Sequence, residues 1–504
     1  MRRGRSGDGG RIGRGRVVCP DSSVWHRISK KKFRAKIIVA KPGCDEKPMP
    51  SLVTCRGRRR IGKSTLIEEF ARQSKSRMLQ LEGIAPQKGI TNADQLKAFC
   101  RQLGEQTGCR SLKADSWFEA FRLLDESLPK SGRTVVLLDE ISWMGKYDPN
   151  FAGELKFAWD RRFKRRSKLI FVLCGSVSSW IADNILNNTG FVGRISLDLV
   201  VGELPLKDCT RFWGRRVERL APGEILDVLS VTGGVPKYLE EIRPNLSADE
   251  NIRRLCFTPG GTLFSDFQSI FSDVFGENAT VKRQILLALA EESGSCKEIA
   301  ERIGVDRGGS LSRNLAELEL AGFVSCDAGF NPETGKPARQ GRYRVCDNYT
   351  RFYLHYIEPN EREIKKNGFK FSSLEMLPGW DKMLGFQFEN LVLSNLETVL
   401  PKLNLGNVPV LSAAPYRSAR PSKNKGCQID LLVQTRKSVC VVEVKHCKKI
   451  GEEVEDEVAE KIRRLPLRKG VSVRTALVYL GELDPVVEGN AYFDAVIPAE
   501  SMLR

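Results

Sequence analysis

The chain has 504 residues, 41% hydrophobic and 28% charged, which suits a globular protein of roughly three or four domains. No window approaches the ~18–20 uncharged apolar residues of a membrane span, and no apolar stretch follows the N-terminal basic residues as in a secretory signal, so a cytoplasmic protein without membrane contact is expected. The net charge of +19 points toward nucleic acid, although residues 1–50 alone hold 14 Lys and Arg against 4 Asp and Glu.

Residues 1–50, Gly/Arg-rich and then lysine-rich, are expected to form a basic disordered tail. Residues 51–205 alternate apolar runs with helical stretches. SLVTC at 51–55, TVVLLDE at 134–140 and KLIFVLCGS at 168–176 are the predicted strands. Such alternation predicts an α/β fold with a parallel sheet covered on both faces.

The first strand runs into Gly57-Arg58-Arg59-Arg60-Ile61-Gly62-Lys63-Ser64-Thr65 and then a helix. This matches G-x-x-x-x-G-K-[ST] between strand and helix. The glycines let backbone N–H groups wrap an anion, and the helix aims its positive end at it. Lys63 is expected on the β- and γ-phosphates of ATP, and the Ser64 hydroxyl on Mg²⁺. Asp139 and Glu140 end the second strand, where parallel sheets bind ligands. Asp139 is the expected metal carboxylate and Glu140 the base for the attacking water.

Three further positions carry two readings each. Ser176, at the end of the third strand, is a γ-phosphate sensor or a structural serine. Arg194 is an arginine finger or a surface charge. Gly233, Gly234 and Pro236 make a turn that packs on adenine or joins two helices.

Residues 206–270 read as a helical lid. Residues 271–360 hold three helices and two strands around a Gly/Pro-rich loop, a winged-helix pattern. Its third helix has Arg313 as its main basic residue; its wing has Lys336, Arg339, Arg342 and Arg344. DNA contact is one reading. Glu317 and Glu319 favour the other, a packing module. Residues 361–380 read as a linker.

Residues 381–504 open with a helix carrying Glu389. QIDLLVQ and VCVVEVKHC then flank a four-residue connection. Paired as an antiparallel hairpin, they place Asp430 opposite Glu443 with Lys445 on the same face. Like charges so placed cost ~0.2–1 kcal/mol, and a divalent cation on oxygen ligands offsets that. Glu389, Asp430 and Glu443 are therefore candidate Mg²⁺ ligands, with Lys445 a charge-stabilising partner. A one-residue slip in register would separate them.

GRRRIGKSTLIEEF, LLDEISWM, LCGSVSSWI, VTGGVPKYLEEI and DNYTRFYLHYIEP together resemble the archaeal-type P-loop ATPase family of prokaryotes, a branch of the AAA+/STAND-like ATPases. The resemblance covers the chain from about Ser51 onward; residues 1–50 lack the Gly-Arg segment with which such ATPases open. It implies a P-loop ATPase with a helical lid, a winged helix and a restriction-endonuclease-like C-terminal domain similar to PD-(D/E)XK nucleases. ATP and Mg²⁺ are the implied cofactors, DNA a partner and oligomers an option. The leading expectation is an ATPase whose nucleotide state controls a metal-dependent nuclease-like domain. The alternative is a regulatory switch with a catalytically silent C-terminal module.

Overall fold

The computed structural model describes residues 49–504 apart from 177, 276–278, 339, 372 and 419–425. The expected basic tail lies outside the described residues up to residue 48, as does Arg339 of the wing.

The N-terminal half is built on a five-stranded sheet, β2-β3-β4-β1-β5, in which every pair is parallel. The strands are β1 (Ser51–Arg56), β2 (Arg77–Glu82), β3 (Thr134–Asp139), β4 (Leu169–Gly175) and β5 (Ile195–Val200). β3 and β4 are buried at every position, which explains their unbroken apolar runs. β2 (RMLQLE) and β5 (ISLDLV) are edge strands with polar residues interleaved; neither was among the predicted strands.

Helices cover both faces. α1 (Lys63–Gln73) follows β1. α2 (Asn92–Thr107) starts at a Thr91–Asp94 capping box, and Ser116 caps α3 (Trp117–Ser127). These two helices and α4 (Phe151–Arg161) bury Phe99, Trp117 and Phe151, with Trp117 edge-on to Phe99 and Phe151 at 5.4 and 4.8 Å.

The segment expected as a lid, 206–270, contains α5 (Pro222–Thr232), α6 (Pro236–Glu240), α7 (Ala248–Cys256) and most of α8 (Thr262–Phe275). Helices α9 (Ala279–Glu291), α10 (Cys296–Ile303) and α11 (Gly309–Leu320) follow, with an antiparallel pair, β6 (Val324–Asp327) and β7 (Arg342–Val345). α12 (Asn348–Phe352) leads to the segment expected as a linker. That segment is packed, not free. Ile364, Leu374 and Leu377 are buried, and Phe369 stacks on Phe257 of the lid at 4.8 Å.

α13 (Trp380–Ser394) opens the C-terminal part, whose second sheet runs β12-β11-β10-β9-β8. β8 (Ser412–Arg417), β9 (Gln428–Gln434) and β10 (Ser438–Ile450) form an antiparallel meander. α14 (Glu453–Arg464) then crosses to β11 (Ser472–Leu483), parallel to β10, and β12 (Ala495–Pro498) lies parallel to β11. One cluster of buried apolar side chains runs from Val53 to Leu503 through the lid and α13. The expected boundaries at 205, 270 and 360 therefore fall within a shared core.

Candidate functional site

The phosphate loop owes its shape to three left-handed residues. Gly57 has φ 151°, Arg60 φ 66° and Gly62 φ 80°. At Gly57 a Cβ would run into the carbonyl oxygen of Val201. Lys63 is buried, its ammonium donating at 3.0 Å to each of Gly57 O, Arg58 O and Ser176 Oγ. Ser176 Oγ in turn donates to Glu140 Oε1 at 2.7 Å, and its N–H to Glu140 Oε2 at 3.2 Å. Ser176 thus bridges the lysine and the expected base. Ser64 Oγ donates to Asp139 Oδ2 at 2.5 Å. Glu140 itself is left-handed at φ 48°, a strained conformation of the kind that clusters at active sites.

Glu82 was missed from sequence. It pairs with Asp139 across β2 and β3, and burial together with Asp139 and Glu140 pushes its carboxyl up. The segment RMLQLE offered little signal, because its polar positions interrupt the apolar run before the carboxylate.

The remaining loop residues face other ways. Ile61 is in the core and Thr65 is exposed. Arg59 lies over the Trp143 ring at 5.2 Å, and Arg60 pairs with Asp266 of α8. Arg58 is buried and pairs with Asp347 at 2.5 Å and Glu203 at 3.5 Å. Burial alone would lower its guanidinium; Asp347, Tyr238 and Glu203 outweigh that and hold it above its ordinary value. Pro236 begins α6, and the next N–H, of Lys237, donates to Arg60 O at 3.4 Å. The lid turn therefore abuts the phosphate loop.

Arg194 is placed elsewhere. Its guanidinium grips Asp160 at 2.8 and 2.9 Å and holds that carboxyl down to about 2. Its other described bond is to Val192 O, so none reaches the phosphate loop.

At the C-terminal site, β9 and β10 pair Val442 with Leu431 and Cys440 with Val433. The next step of that register is Glu443 opposite Asp430. The ladder ends there, with Asp430 Oδ2 accepting the Val444 N–H at 3.0 Å. Burial, then Glu443, pushes the Asp430 carboxyl up to about 6. Burial, then Asp430, pushes Glu389 on α13 up to about 8. The three carboxylates share one electrostatic environment. They are not gathered as ligands: among the described residues no group of three or more His, Cys, Asp or Glu is placed to hold a metal. The physical reason is two lysines. Lys461 takes Glu443 Oε2 at 2.5 Å and Lys445 takes Oε1 at 3.3 Å, while Lys445 also pairs with Glu457 at 2.6 Å. Lys461 was missed, yet it falls three residues after Val458 and seven after Val454, on the buried stripe of α14.

Glu389 and Asp430 line a cleft of about 530 Å³ that Arg344 and Arg351 also line. Arg351 is buried, and its Nε has no hydrogen-bond partner among the described residues. Burial, then Arg344, lowers it to about 10.

The wing is occupied. Arg342 pairs with Glu298 at 2.8 Å and Arg344 with Asp327 at 2.7 Å. The loop between β6 and β7 docks on the second sheet, where Phe330 O accepts from Gln434 Nε2 at 2.8 Å and Pro332 O from Arg468 N at 3.3 Å. Lys336 and Arg313 are exposed.

Residues 49–179, which contain β1 to β4, match the family model described as AAA domain. The chain is similar to the uncharacterized protein MJECL04 of Methanocaldococcus jannaschii, 24% identical over 423 residues, 82% of this chain and 85% of that protein. Among solved structures, the Walker-type ATPase PABY2304 of Pyrococcus abyssi has TM-score 0.47 and 16% identity over 67% of this chain and 97% of that one. The ORC2 protein of Aeropyrum pernix, in its ADPNP–ADP complexes, has TM-score 0.38 and 15% identity over 71% and 94%. No described helix is long and apolar enough to cross a membrane.

Proposed function

We propose that this protein binds and hydrolyses ATP at the loop from Gly57 to Thr65 and uses its nucleotide state to control the C-terminal carboxylate site. The single observation carrying the first part is the chain from Lys63 through Ser176 to Glu140. It holds the lysine for the β- and γ-phosphates beside the base for water. Ser64 and Asp139, 2.5 Å apart, are hard oxygen donors and fit Mg²⁺. When bound there, the cation would draw negative charge from the β- and γ-oxygens. Glu140 orients the attacking water and takes its proton. Ser176 aligns Glu140 through its N–H and its one hydroxyl proton; as a γ-phosphate sensor it would turn that hydroxyl from Glu140 to the phosphate.

For the second part, Glu389, Asp430, Glu443 and Lys445 support a nuclease-like site acting on DNA with Mg²⁺, because two of these carboxyls are buried and raised by their like-charged neighbours. Oxygen donors suit a hard cation, but Glu443 would first have to leave Lys461 to join Asp430 and Glu389 on it; the cation would then polarise a phosphodiester, while Lys445 neutralises charge. The regulatory-switch reading also has its observation: Lys461 and Lys445 already neutralise Glu443.

The deciding experiment is plasmid cleavage with Mg²⁺ or Mn²⁺, with and without ATP, beside Asp430→Ala and Lys63→Ala. Cleavage by wild type and none by Asp430→Ala supports the nuclease-like reading, and the Lys63→Ala lane reports nucleotide control. ATP hydrolysis without any cleavage leaves the switch. Absence of hydrolysis in wild type removes the first part.

A further inference from the structure

Of the wing expected to meet DNA, Arg342 and Arg344 are ion-paired and the loop between β6 and β7 is docked, while Lys336 stays exposed; a denser run of charge lies elsewhere. A concentrated place on the described surface lies at the N-terminal ends of β2, β3 and β4. Lys75 and Arg77 stand at the start of β2, Arg133 before β3 and Lys168 before β4. The strand order sets them side by side: Arg77 N donates to Arg133 O at 2.9 Å, and Thr134 N to Lys168 O at 3.3 Å. Lys130 and Arg165 extend the row from the adjoining loops.

All six side chains are exposed. Among the described residues none of the six has an ion-pair partner within 4.0 Å. The nearby acid is already taken, since Asp125 is held by Arg166 at 2.5 Å. Arg166 also donates to Leu128 O and Pro129 O at 3.4 and 3.3 Å, which pins the loop carrying Lys130. The result is a concavity of about 420 Å³ lined by Lys130, Arg165 and Lys168 and by no carboxylate. Six unpaired cations along one edge repel one another, a cost that an anionic partner removes.

We propose that this edge is a docking surface for the phosphodiester backbone of nucleic acid, read without regard to sequence. The alternative polyanion is an acidic membrane. The surface is concave, and its apolar lining residues Leu128 and Leu169 are buried, so nothing apolar projects for insertion into lipid. Arginine forks and lysines in a row suit successive phosphates. The phosphate loop, after β1, lies at the opposite edge of the same parallel sheet. Six-residue strands separate the two edges by roughly 20 Å, so a bound strand leaves the nucleotide site open. The inference rests on the proposed function only in taking nucleic acid as the partner.

The test is binding of a fluorescent 30-base-pair duplex, and of one of its strands, to the full chain across a salt series. The triple variant Lys130→Gln/Arg165→Gln/Lys168→Gln is compared with Arg313→Gln on α11. The triple variant is expected to bind more weakly and to flatten the slope of log K against log salt by about 0.9 for each phosphate it no longer neutralises. Its ATP hydrolysis without nucleic acid stays at the wild-type rate. If it does not fold, Arg77→Gln/Arg133→Gln removes two other charges of the row. Wild-type affinity and slope in the folded edge variants overturn the surface, and weakened binding confined to Arg313→Gln leaves DNA binding to the three-helix module. No binding of either nucleic acid by wild type overturns both this surface and the DNA part of the proposed function. Capture of phosphatidylserine vesicles that the edge variants lose, with duplex binding unchanged, overturns nucleic acid in favour of a membrane.

Discussion

Arg58 of the phosphate loop and Asp347, which caps α12, form a buried ion pair across 289 residues of sequence. The pair ties the ATPase loop to the element on which the C-terminal half is hung. Asp347 also accepts the Thr350 N–H at 3.1 Å, and the next residue, Asn348, meets Gln387 and Asn390 of α13. A shift of the loop on nucleotide binding therefore has a continuous polar route to the helix that carries Glu389.

That pair gives the first expectation. Arg58→Met leaves Asp347 buried without its cation, and breaking one side of such a pair costs about 3–5 kcal/mol. The urea midpoint should fall accordingly. Asp347→Asn keeps the cap and should cost less. If Arg58→Met unfolds at the wild-type urea concentration, the pair is not the tie described.

The catalytic chain gives the second. Glu140→Gln should retain ATP binding and lose roughly 10²–10⁴ in hydrolysis, the usual contribution of a positioned base. Ser176→Ala should lose less, because it aligns Glu140 and leaves its carboxylate present. Nucleotide affinity and single-turnover rates measured together separate the two. Equal hydrolysis by wild type and Glu140→Gln would move the base elsewhere, with Glu82, the cross-strand partner of Asp139, the next carboxylate to examine.

How much of this was legible depended on how local the cause was. The phosphate loop, β3 and β4 declare themselves because short buried strands and a glycine loop are sequence-local. The β9–β10 register was also readable, since the short connection, three residues between Gln434 and Ser438, leaves little freedom. β2 and β5 were not, because their polar positions break the apolar run. Segment 361–380 looked like a linker because its buried residues, Ile364, Leu374 and Leu377, lack a helical or strand period. The ion pair of Arg58 with Asp347 and the lysine clamp on Glu443 depend on tertiary approach, and no spacing encodes that.

The third expectation concerns Gly57. Its φ of 151° lies where side chains are rarely found, and a Cβ would strike the Val201 carbonyl. Gly57→Ala should destabilise by more than about 1 kcal/mol and weaken nucleotide binding together with it. Thermal unfolding with and without ATP reads both. Gly202→Ala, with open space around its Cβ, is the control.

The fourth follows from Lys461. Removing it by Lys461→Met leaves Glu443 buried with Lys445 alone. Stability should fall, and Glu443 is freed toward Asp430. On the nuclease-like reading, cleavage at high Mn²⁺ then changes while ATP hydrolysis does not. On the switch reading only stability changes. Urea midpoints and plasmid cleavage on one preparation distinguish the two.

The last concerns pH. Asp227 on α5 is pushed up to about 7, by burial first and then by Asp249, Glu224 and Glu375. Between its ordinary value of 3.8 and about 7 the native chain keeps a proton that the unfolded chain has released. Stability from this group is therefore complete below the ordinary value and is lost as pH rises through 7. Asp227→Asn cannot ionise and should escape that loss. Its urea midpoint relative to wild type should rise from pH 5 to pH 8. Glu203, also raised to about 7, titrates in both proteins and cancels in the difference. Parallel stability curves over that range would mean that Asp227 is hydrated and ionised in the native state.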